Sequence, residues 1–495
     1  MIDVIDFKNL QNNEKILALS LQGLANRKQP SIYLDIDNYL EYIDENYQYI
    51  TLTNALKKYR SCFDGCILFN YQFGNVDINI ASSLSGILNS IIIDSELISL
   101  IDSIEDLPVL KDIRELDGDY IDRQEKIFDQ YNHLFNRDGL IHQVTTTDTC
   151  HITLRDAGIS NSWFCFFTDE TAKAKAFRKK VLNWANKNIA IYGWTTNEID
   201  FVDDISQYGD YIIPSDWSCN HSFLNKKESI EIKQKGVIIK SDLNNPNKHY
   251  LTIVVSDGDN AQWLERDFST TSTFGQRIKT NENYILNFTI APSLAINSPA
   301  VLKRIYSLGK NNYFISGVSG AGYMNPCKFP IEHLDAFCNK TSTLFKKSDL
   351  SIVTLLDNIS NMNKVSKMLD KYAKFGNIIG GIYEVDPDKY GSAKGEIYYP
   401  SNSIFSNKPF AGVRISFWSP DGTNNSVTKE WIDEIANQIN NFEVNIHSKT
   451  GYTVLNVHPW SIKISDLDYL VSKLSDHVEI VKCDDFIEMI KNNIR

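Results

Sequence analysis

Two aspartates separated by a glycine directly follow a strongly apolar run of the chain. The run is Tyr250–Val255, and the turn after it reads Ser256-Asp257-Gly258-Asp259-Asn260. Because glycine permits a tight backbone, Asp257 and Asp259 can direct both carboxylates into one cavity. Carboxylates held that close either share a proton, which raises the pKa of one of them, or bind a cation. The alternative is a structural turn, in which Asp257 caps the backbone and Asp259 is solvated.

Further acids, one histidine and two tryptophans follow other apolar runs in the same half of the chain. They are Asp357, Glu384, Trp418, His458 and Trp460. In parallel α/β folds the loops at the carboxyl ends of the strands converge over one pocket, so we expect these side chains to meet the acidic turn. A glycosidase needs two carboxylates roughly 5 to 9.5 Å apart across the scissile bond, and different strands can supply them. Each acid alone is equally compatible with a surface position or a helix cap.

The candidate substrate contacts come from a glycine-rich segment and from aromatic and amide side chains. The segment Gly317–Pro326 lacks the Lys-Ser/Thr ending of a phosphate-binding loop, so we expect it to shape a substrate loop that presents Tyr323. The predicted substrate-binding residues are Asn260, Trp263, Gly320, Gly322, Tyr323, Trp418 and Trp460. The tryptophans suit stacking on sugar faces, although each could equally be a core residue.

The elements that must hold these residues alternate regularly over residues 246–495. Eight apolar, β-branched runs predict strands, and most of the gaps between them contain a helical pattern. The runs are Tyr250–Val255, Tyr284–Ile290, Tyr313–Ile315, Ile352–Leu356, Ile378–Tyr383, Val413–Phe417, Tyr452–Val457 and Val478–Val481. Seven or eight β–α units in about 250 residues predict a (β/α) barrel-like catalytic domain. An open doubly wound sheet is the alternative.

The half of the chain before this region predicts smaller α/β pieces. A polar, turn-forming stretch at residues 240–248 separates the two halves. Short strand-like and helical runs alternate before it, so we expect three small Rossmann-like subdomains, over residues 1–60, 61–122 and 123–240. None of them carries a Gly-x-Gly-x-x-Gly loop, and no dinucleotide is therefore predicted.

The composition argues against several classes of partner. Acidic residues number 62 against 50 basic ones, and the resulting charge of −12 disfavours a polyanion such as nucleic acid. No window approaches the ~18 uninterrupted apolar residues of a membrane span. The first residues lack the features of a secretory signal, and the eight cysteines form no CxxC pair. We therefore expect buried free thiols and a cytoplasmic location; the sequence predicts no oligomeric state.

Several segments resemble the GxGYxYP family, whose activity is inferred to be glycoside hydrolysis. Gly320-Ala321-Gly322-Tyr323-Met324-Asn325-Pro326 resembles the signature that names the family, with Asn325 where the motif has Tyr. Similar family segments are Leu21–Arg27 with Pro30, Arg155-Asp156, Gly193-Trp194, Ser215–Trp217 and Ser256–Asn260. The resemblance implies several N-terminal α/β pieces and a C-terminal barrel-like catalytic domain. Such relatives are typically exported, which differs from the location expected above.

A fainter resemblance is to polysaccharide deacetylases, whose barrels place an acidic pair after the first strand and a His-Pro-like element late. Asp257, Asp259 and His458 fit those places. The usual His-Ser/Thr-x-x-x-His metal pair is absent, since Asn297-Ser298 stands where it would be. A zinc site of that kind is not predicted, whereas a hard divalent cation held by carboxylates and one histidine stays open.

The leading hypothesis is a carbohydrate-active hydrolase that cleaves glycosidic bonds without a cofactor. Asp257 or Asp259 would supply one carboxylate and Glu384 or Asp357 the other, and His458 completes the predicted catalytic set. The first alternative is a metal-dependent, deacetylase-like hydrolase that uses Asp257, Asp259 and His458. The second is a carbohydrate-binding protein without turnover, which the departure at Asn325 encourages.

Overall fold

The chain forms two compact units. The computed structural model describes residues 1–36, 39–100, 104, 106–147, 150–225, 231–237, 239–268, 273–279, 284–308, 311–357, 362–386 and 389–494. One unit comprises Met1–Ser229 with Ile296–Val301, and the other comprises Ile230–Ala295 with Leu302–Arg495. The units divide at Ser229, ahead of the polar stretch at residues 240–248 where the sequence placed the boundary.

The first unit contains three small parallel sheets that follow one another along the chain. Its strands are β1 (Ile2–Ile5), β2 (Ile32–Leu34), β3 (Tyr47–Tyr49), β4 (Gly65–Phe69), β5 (Ser90–Asp94), β6 (Val109–Asp112), β7 (Gly139–His142), β8 (Phe164–Phe166), β9 (Ala190–Gly193) and β10 (Tyr211–Pro214). Its helices are α1 (Asn12–Ala25), α2 (Leu52–Lys58), α3 (Asp77–Leu88), α4 (Tyr120–Tyr131), α5 (Arg155–Asn161), α6 (Ala172–Trp184), α7 (Glu198–Gln207) and α8 (His221–Leu224). The strand orders are β2–β1–β3, β5–β4–β6 and β10–β9–β7–β8.

Buried amide side chains on and after α1 tie the first unit together. The Gln22 Nε2 donates a hydrogen bond to Asn220 Oδ1 at 2.6 Å, and the Asn26 Nδ2 donates one to Ser222 Oγ at 3.2 Å. The Asn26 Oδ1 also accepts from the Ile32 N–H at 2.9 Å. Buried polar groups need such partners. The N-terminal segment that resembles the family therefore has a structural role here.

The second unit holds the remaining strands and helices. Its strands are β11 (His249–Val255), β12 (Leu286–Ile290), β13 (Asn312–Ser316), β14 (Ile352–Asp357), β15 (Gly380–Val385), β16 (Ile397–Tyr398), β17 (Phe410–Phe417), β18 (Tyr452–Val457) and β19 (Val478–Ile480). Its helices are α9 (Ala261–Glu265), α10 (Thr273–Arg277), α11 (Leu294–Asn297), α12 (Pro299–Ser307), α13 (Ile331–Ser348), α14 (Met362–Ala373), α15 (Lys429–Asn440), α16 (Ile464–Ser472) and α17 (Cys483–Asn493). The end of α11 and the start of α12, within Ile296–Val301, belong to the first unit.

The sheet of the second unit is a nearly closed parallel barrel. Its order is β13–β12–β11–β18–β17–β15–β14, with β19 paired to the start of β11 and the short antiparallel β16 paired to β17. An isolated parallel bridge between Val318 and Thr354 brings the two ends of this order together. All eight predicted strands are present, with bounds shifted by a few residues. The barrel prediction is confirmed, and the open-sheet alternative is wrong.

Strand alternation places a polar layer above the apolar core of the barrel. One buried cluster includes Val254, Ile315, Ile352, Ile382 and Val454, from five different strands. Side chains two residues apart share a face of a strand. The next inward-facing position toward the carboxyl end of each of these strands is therefore Ser256, Gly317, Thr354, Glu384 or Asn456, and we call these five residues together the interior polar layer. The strands still pair at this level, because Ser256 N–H donates to the Val457 carbonyl and Gly317 N–H to that of Ile290.

The sequence predicts no membrane-spanning segment and buried, free cysteine thiols. Among the described residues, no helix is long and apolar enough to cross a membrane. The cysteines whose side chains are described carry free thiols, and most of them are buried.

Candidate active site

The acidic turn extends β11 at the carboxyl end of the barrel. The backbone of Asp257 is in the left-handed region, with a φ of 65°. This conformation costs free energy for any residue other than glycine. The Ser256 hydroxyl donates a hydrogen bond to the Asp257 carboxylate. The backbone N–H and side-chain Nδ2 of Asn260 both donate to the Asp257 carbonyl, at 3.2 and 3.0 Å. Asn260, a predicted substrate contact, thus stabilises the turn.

Two glycines let the turn pack closely against neighbouring strands. A Cβ atom at Gly258 would lie 1.8 Å from the carbonyl oxygen of Thr289, at the end of β12. The Gly258 N–H donates to Thr289 Oγ1 at 2.9 Å. A Cβ at Gly317, just after β13, would lie 2.8 Å from the backbone nitrogen of Asp259. The absence of side chains at these glycines fixes where both aspartates lie.

Glu384 belongs to the interior polar layer and is 1% exposed. No described residue donates a hydrogen bond to its carboxyl group, and its Oε1 is buried without a partner. Burial raises the pKa of Glu384 well above its ordinary value, and the nearby carboxylates of Asp257, Asp259 and Asp386 raise it further. The structure therefore brings Glu384 and both aspartates of the turn into one electrostatic environment, which favours the protonated form of Glu384.

The raised pKa of Glu384 predicts a pH-dependent gain in stability for Glu384→Gln. The folded state holds this proton more tightly than the unfolded chain, so the wild type loses stability as the pH rises from the unfolded pKa of about 4.3 toward the folded pKa. Glutamine does not titrate. The unfolding free energy of the variant, relative to wild type, should therefore grow by about 1.4 kcal/mol per pH unit within that window.

Denaturant unfolding between about pH 5 and pH 8 measures this difference. The exposed Glu434→Gln on α15 serves as the control for loss of one negative charge. A difference between Glu384→Gln and wild type that stays constant with pH would contradict the raised pKa.

His458 and Trp418 stack at the ends of the neighbouring strands β18 and β17. Their ring centroids are 3.5 Å apart and the planes differ by 6°. The His458 Nδ1 is 2.8 Å from the Ser461 hydroxyl. Burial lowers the pKa of His458; the Asp257 carboxylate opposes this effect and Lys389 adds to it. The net lowering favours the uncharged form of this imidazole, close to the acidic turn.

A second aromatic pair joins α9 to the loop after β18. The rings of Trp263 and Trp460 have centroids 4.7 Å apart. Trp460 is 44% exposed, whereas Trp263 is buried and also packs on Phe268. Of the predicted tryptophans, Trp460 and the half-buried Trp418 have exposed surface, and Trp263 packs against Trp460.

Asp357 lies on the other face of its strand. Its neighbours Thr354 and Leu356 share the barrel interior by alternation, which turns Asp357 outward. The Tyr383 hydroxyl donates to Asp357 Oδ2 at 3.3 Å, and Asp357 together with burial raises the pKa of the Cys327 thiol. The partners that the structure describes for Asp357 are thus outside the interior polar layer that holds Glu384.

The glycine-rich segment packs against the helices that follow it. Gly320 has a φ of 102°, and a Cβ there would lie 2.4 Å from Cγ2 of Thr341 on α13. The Thr341 hydroxyl also accepts from the Ala321 N–H at 3.0 Å. Gly322 and Tyr323 are buried. Asn325, the departure from the family signature, accepts the Cys327 N–H at its Oδ1, so it stabilises a turn.

Two members of the interior polar layer lie outside every motif and site predicted from the sequence. Thr354 Oγ1 and Asn456 Oδ1 are buried and find no hydrogen-bond partner within the described ranges of the chain. The available signal was an asparagine inside the otherwise apolar, β-branched run Tyr452–Val457. A polar residue at an inward position of a barrel strand marks a place where apolar packing gives way to a site.

Two other features bear on the site. Among the residues that the structure describes, no three His, Cys, Asp or Glu side chains converge closely enough to hold a metal ion. A cavity of about 560 Å³ lies at the amino ends of the strands, lined by residues that include Tyr313, Ser351 and Ile379. Barrel enzymes carry their chemistry at the opposite, carboxyl end, so the acidic turn rather than this cavity is the candidate site.

Comparisons with known proteins cover nearly the whole chain. Residues 247–491 match the family model described as the GxGYxYP putative glycoside hydrolase C-terminal domain. Residues 140–226 match the GxGYxYP third domain, and residues 1–61 match the first N-terminal domain. No curated protein matches the chain.

A solved structure has the same fold over almost its full length. It is the crystal structure of a putative hydrolase from Bacteroides thetaiotaomicron, 25% identical, with a TM-score of 0.85; the match covers 99% of this chain and 94% of that one. The expected family resemblance is confirmed by three separate regions of the sequence. This chain belongs to the GxGYxYP family.

Proposed function

We propose that this protein hydrolyses glycosidic bonds at the carboxyl end of its barrel, with Glu384 as the general acid and a carboxylate of the acidic turn as its partner. The observation that carries the proposal is the environment of Glu384. Its carboxyl group is buried, has no hydrogen-bond donor among the described residues, and lies near enough to two aspartates that they raise its pKa. The family description supports the same reaction class.

The two kinds of carboxyl group suit the two halves of the reaction. The protonated Glu384 gives its proton to the glycosidic oxygen as the bond from that oxygen to the anomeric carbon breaks. Asp257 or Asp259 acts from the other face of the sugar ring, on the anomeric carbon itself or on the attacking water. Different environments thus assign different roles to the acids, as paired catalytic carboxylates require.

The aromatic side chains supply surfaces for the sugar. Trp418 is held flat against His458, and Trp460 is held by Trp263. Indole faces at fixed positions suit the apolar faces of sugar rings and lose little side-chain entropy on binding. The imidazole of His458 offers a further hydrogen-bonding group.

The direct test measures hydrolysis of a glycan panel by the wild type, Asp257→Asn and Asp259→Asn. We expect the wild type to turn over at least one glycan, and the variant that loses the partner carboxylate to be slower by about a hundredfold or more. Asp476→Asn, on an exposed segment before β19, controls for loss of one carboxylate. Equal turnover by the wild type and both site variants would overturn the proposal. Saturable glycan binding with no turnover of any substrate would favour the non-catalytic alternative.

A further inference from the structure

The interior polar layer contains hydrogen-bonding atoms that the fold itself does not use. Thr354 is 1% and Asn456 2% exposed, and neither Thr354 Oγ1 nor Asn456 Oδ1 has a hydrogen-bond partner among the described residues. The Oε1 of Glu384, in the same layer, likewise has no partner in the described part of the chain. A buried polar atom without a partner costs stability, so its retention calls for an explanation such as a bound ligand.

The position of this layer suits a ligand that enters from the acidic turn. Ser256 belongs to the layer and immediately precedes Asp257. The unpartnered side chains of the interior polar layer come from strands β14, β15 and β18. Because side chains alternate along a strand, all three face the interior of the barrel. A ligand bound at the turn would therefore have this layer beneath it.

Charge restricts what the layer can bind. The groups that act electrostatically on Glu384 are the carboxylates of Asp257, Asp259 and Asp386. The cation next to His458, Lys389, already donates to the carbonyls of Ser419 and Pro420, at 2.7 and 2.8 Å. A ligand with its own negative charge would be repelled here without a free cation among these groups to compensate.

We propose that Thr354 and Asn456 form a specificity-determining subsite that hydrogen-bonds the hydroxyl groups of an uncharged sugar residue and excludes sugars that carry a carboxylate or sulfate. The inference rests on the proposed function only for the place where the substrate lies. Sugar hydroxyls both donate and accept hydrogen bonds, which matches a threonine hydroxyl and an asparagine amide. The acidic surroundings supply the discrimination against anionic sugars.

The test measures equilibrium binding by the full-length protein, so it does not depend on turnover. The probes are neutral monosaccharides, the uronic acids of the same ring configuration, and single deoxy analogues of the sugar that binds best. We expect the neutral sugar to bind about tenfold or more tightly than its uronic acid. Asn456→Ala should weaken neutral-sugar binding about three- to tenfold, the effect of one hydrogen bond. Asn437→Ala, on the exposed face of α15, is the matched control.

Thr354→Val separates binding from folding. Valine fills nearly the same space without the unpartnered hydroxyl, so we expect a higher melting temperature together with weaker sugar binding. One deoxy analogue should bind the wild type less tightly than the parent sugar does. The variant that lacks the protein partner of the missing hydroxyl, Asn456→Ala or Thr354→Val, should bind this analogue and the parent sugar equally well. The reason is that the sugar hydroxyl and its protein partner contribute to affinity only when both are present. Loss of binding through misfolding would lower the melting temperature instead.

The outcomes distinguish this inference from the proposed function. If the protein hydrolyses glycans and both variants keep the sugar affinity of the wild type, the subsite is overturned but the proposed hydrolysis is not. If sugar binding depends on Asn456 and Thr354 and no glycan is hydrolysed, the subsite is supported and the proposed hydrolysis is overturned. Equal affinity for neutral and anionic sugars, or no binding by any probe up to its solubility limit, also overturns the subsite.

Discussion

Glu384→Gln is expected to lower kcat/KM on natural glycans by about a thousandfold or more, the upper part of the range for loss of a general acid. Glutamine keeps the shape and the neutral charge of the protonated side chain but has no acidic proton to transfer. The measurement is steady-state hydrolysis of the best glycan from the panel. A substrate whose leaving group needs no protonation, such as a dinitrophenyl glycoside, should lose much less rate in the bond-breaking step.

The matched control is Asp357→Asn, which removes an equally buried acid at the end of the adjacent strand β14. Asp357 accepts a hydrogen bond from Tyr383 and lies on the other face of its strand. We expect Asp357→Asn to change the melting temperature while the folded protein keeps most of its kcat/KM. The reverse pattern, with full activity in Glu384→Gln and none in Asp357→Asn, would show that Asp357 is the acid.

Gly258→Ala is expected to destabilise the second unit by about 3 kcal/mol, at the upper end of the range for overpacking. The added Cβ would lie 1.8 Å from the Thr289 carbonyl oxygen, a backbone atom that cannot rotate away. The turn must move, and Asp257 and Asp259 move with it. Catalysis should therefore fall even below the melting temperature, since small displacements of catalytic groups reduce the rate strongly.

Chemical denaturation together with hydrolysis assays measures both effects of Gly258→Ala. The control is Gly376→Ala, an exposed glycine in the same unit whose added Cβ would meet nothing within 4 Å. That variant should be neutral or slightly more stable than the wild type. Similar stabilities for the two variants would contradict the close packing described for the acidic turn.

Much of the barrel follows from the local sequence. Each β-branched run that predicted a strand forms one, because such runs favour extended backbone and are buried on both faces in a parallel sheet. The chain after each run therefore reaches the same edge of the barrel. This is why Asp257, His458 and Trp418 could be assigned to one end of the domain before its structure was known. The antiparallel β16 is too short to give such a signal.

Tertiary structure decided which of the strand-end residues face inward. Asp357 and Glu384 looked alike as acids at predicted strand ends, but a shift of one residue moves a side chain to the other face. The strand ends predicted from the sequence differ from the observed ones by more than one residue: the run predicted for β15 ends at Tyr383, whereas the strand continues to Val385. The closure of the barrel fixes the register, and with it the inward direction of Glu384.

The chemical state of the candidate site also depends on contacts that are distant in sequence. The pKa of Glu384 rises because the fold buries it and brings Asp257 and Asp259 near it. The local sequence determined the acidic turn after β11, the strands of the barrel and the end of the barrel where the acids lie, since these follow from short-range preferences. Only the tertiary structure decided that Glu384 is buried with a raised pKa, because burial is a property of the closed barrel. It also decided that Thr354 and Asn456 face the same barrel interior without a partner for their side-chain oxygens among the described residues, because strand register is likewise fixed by closure.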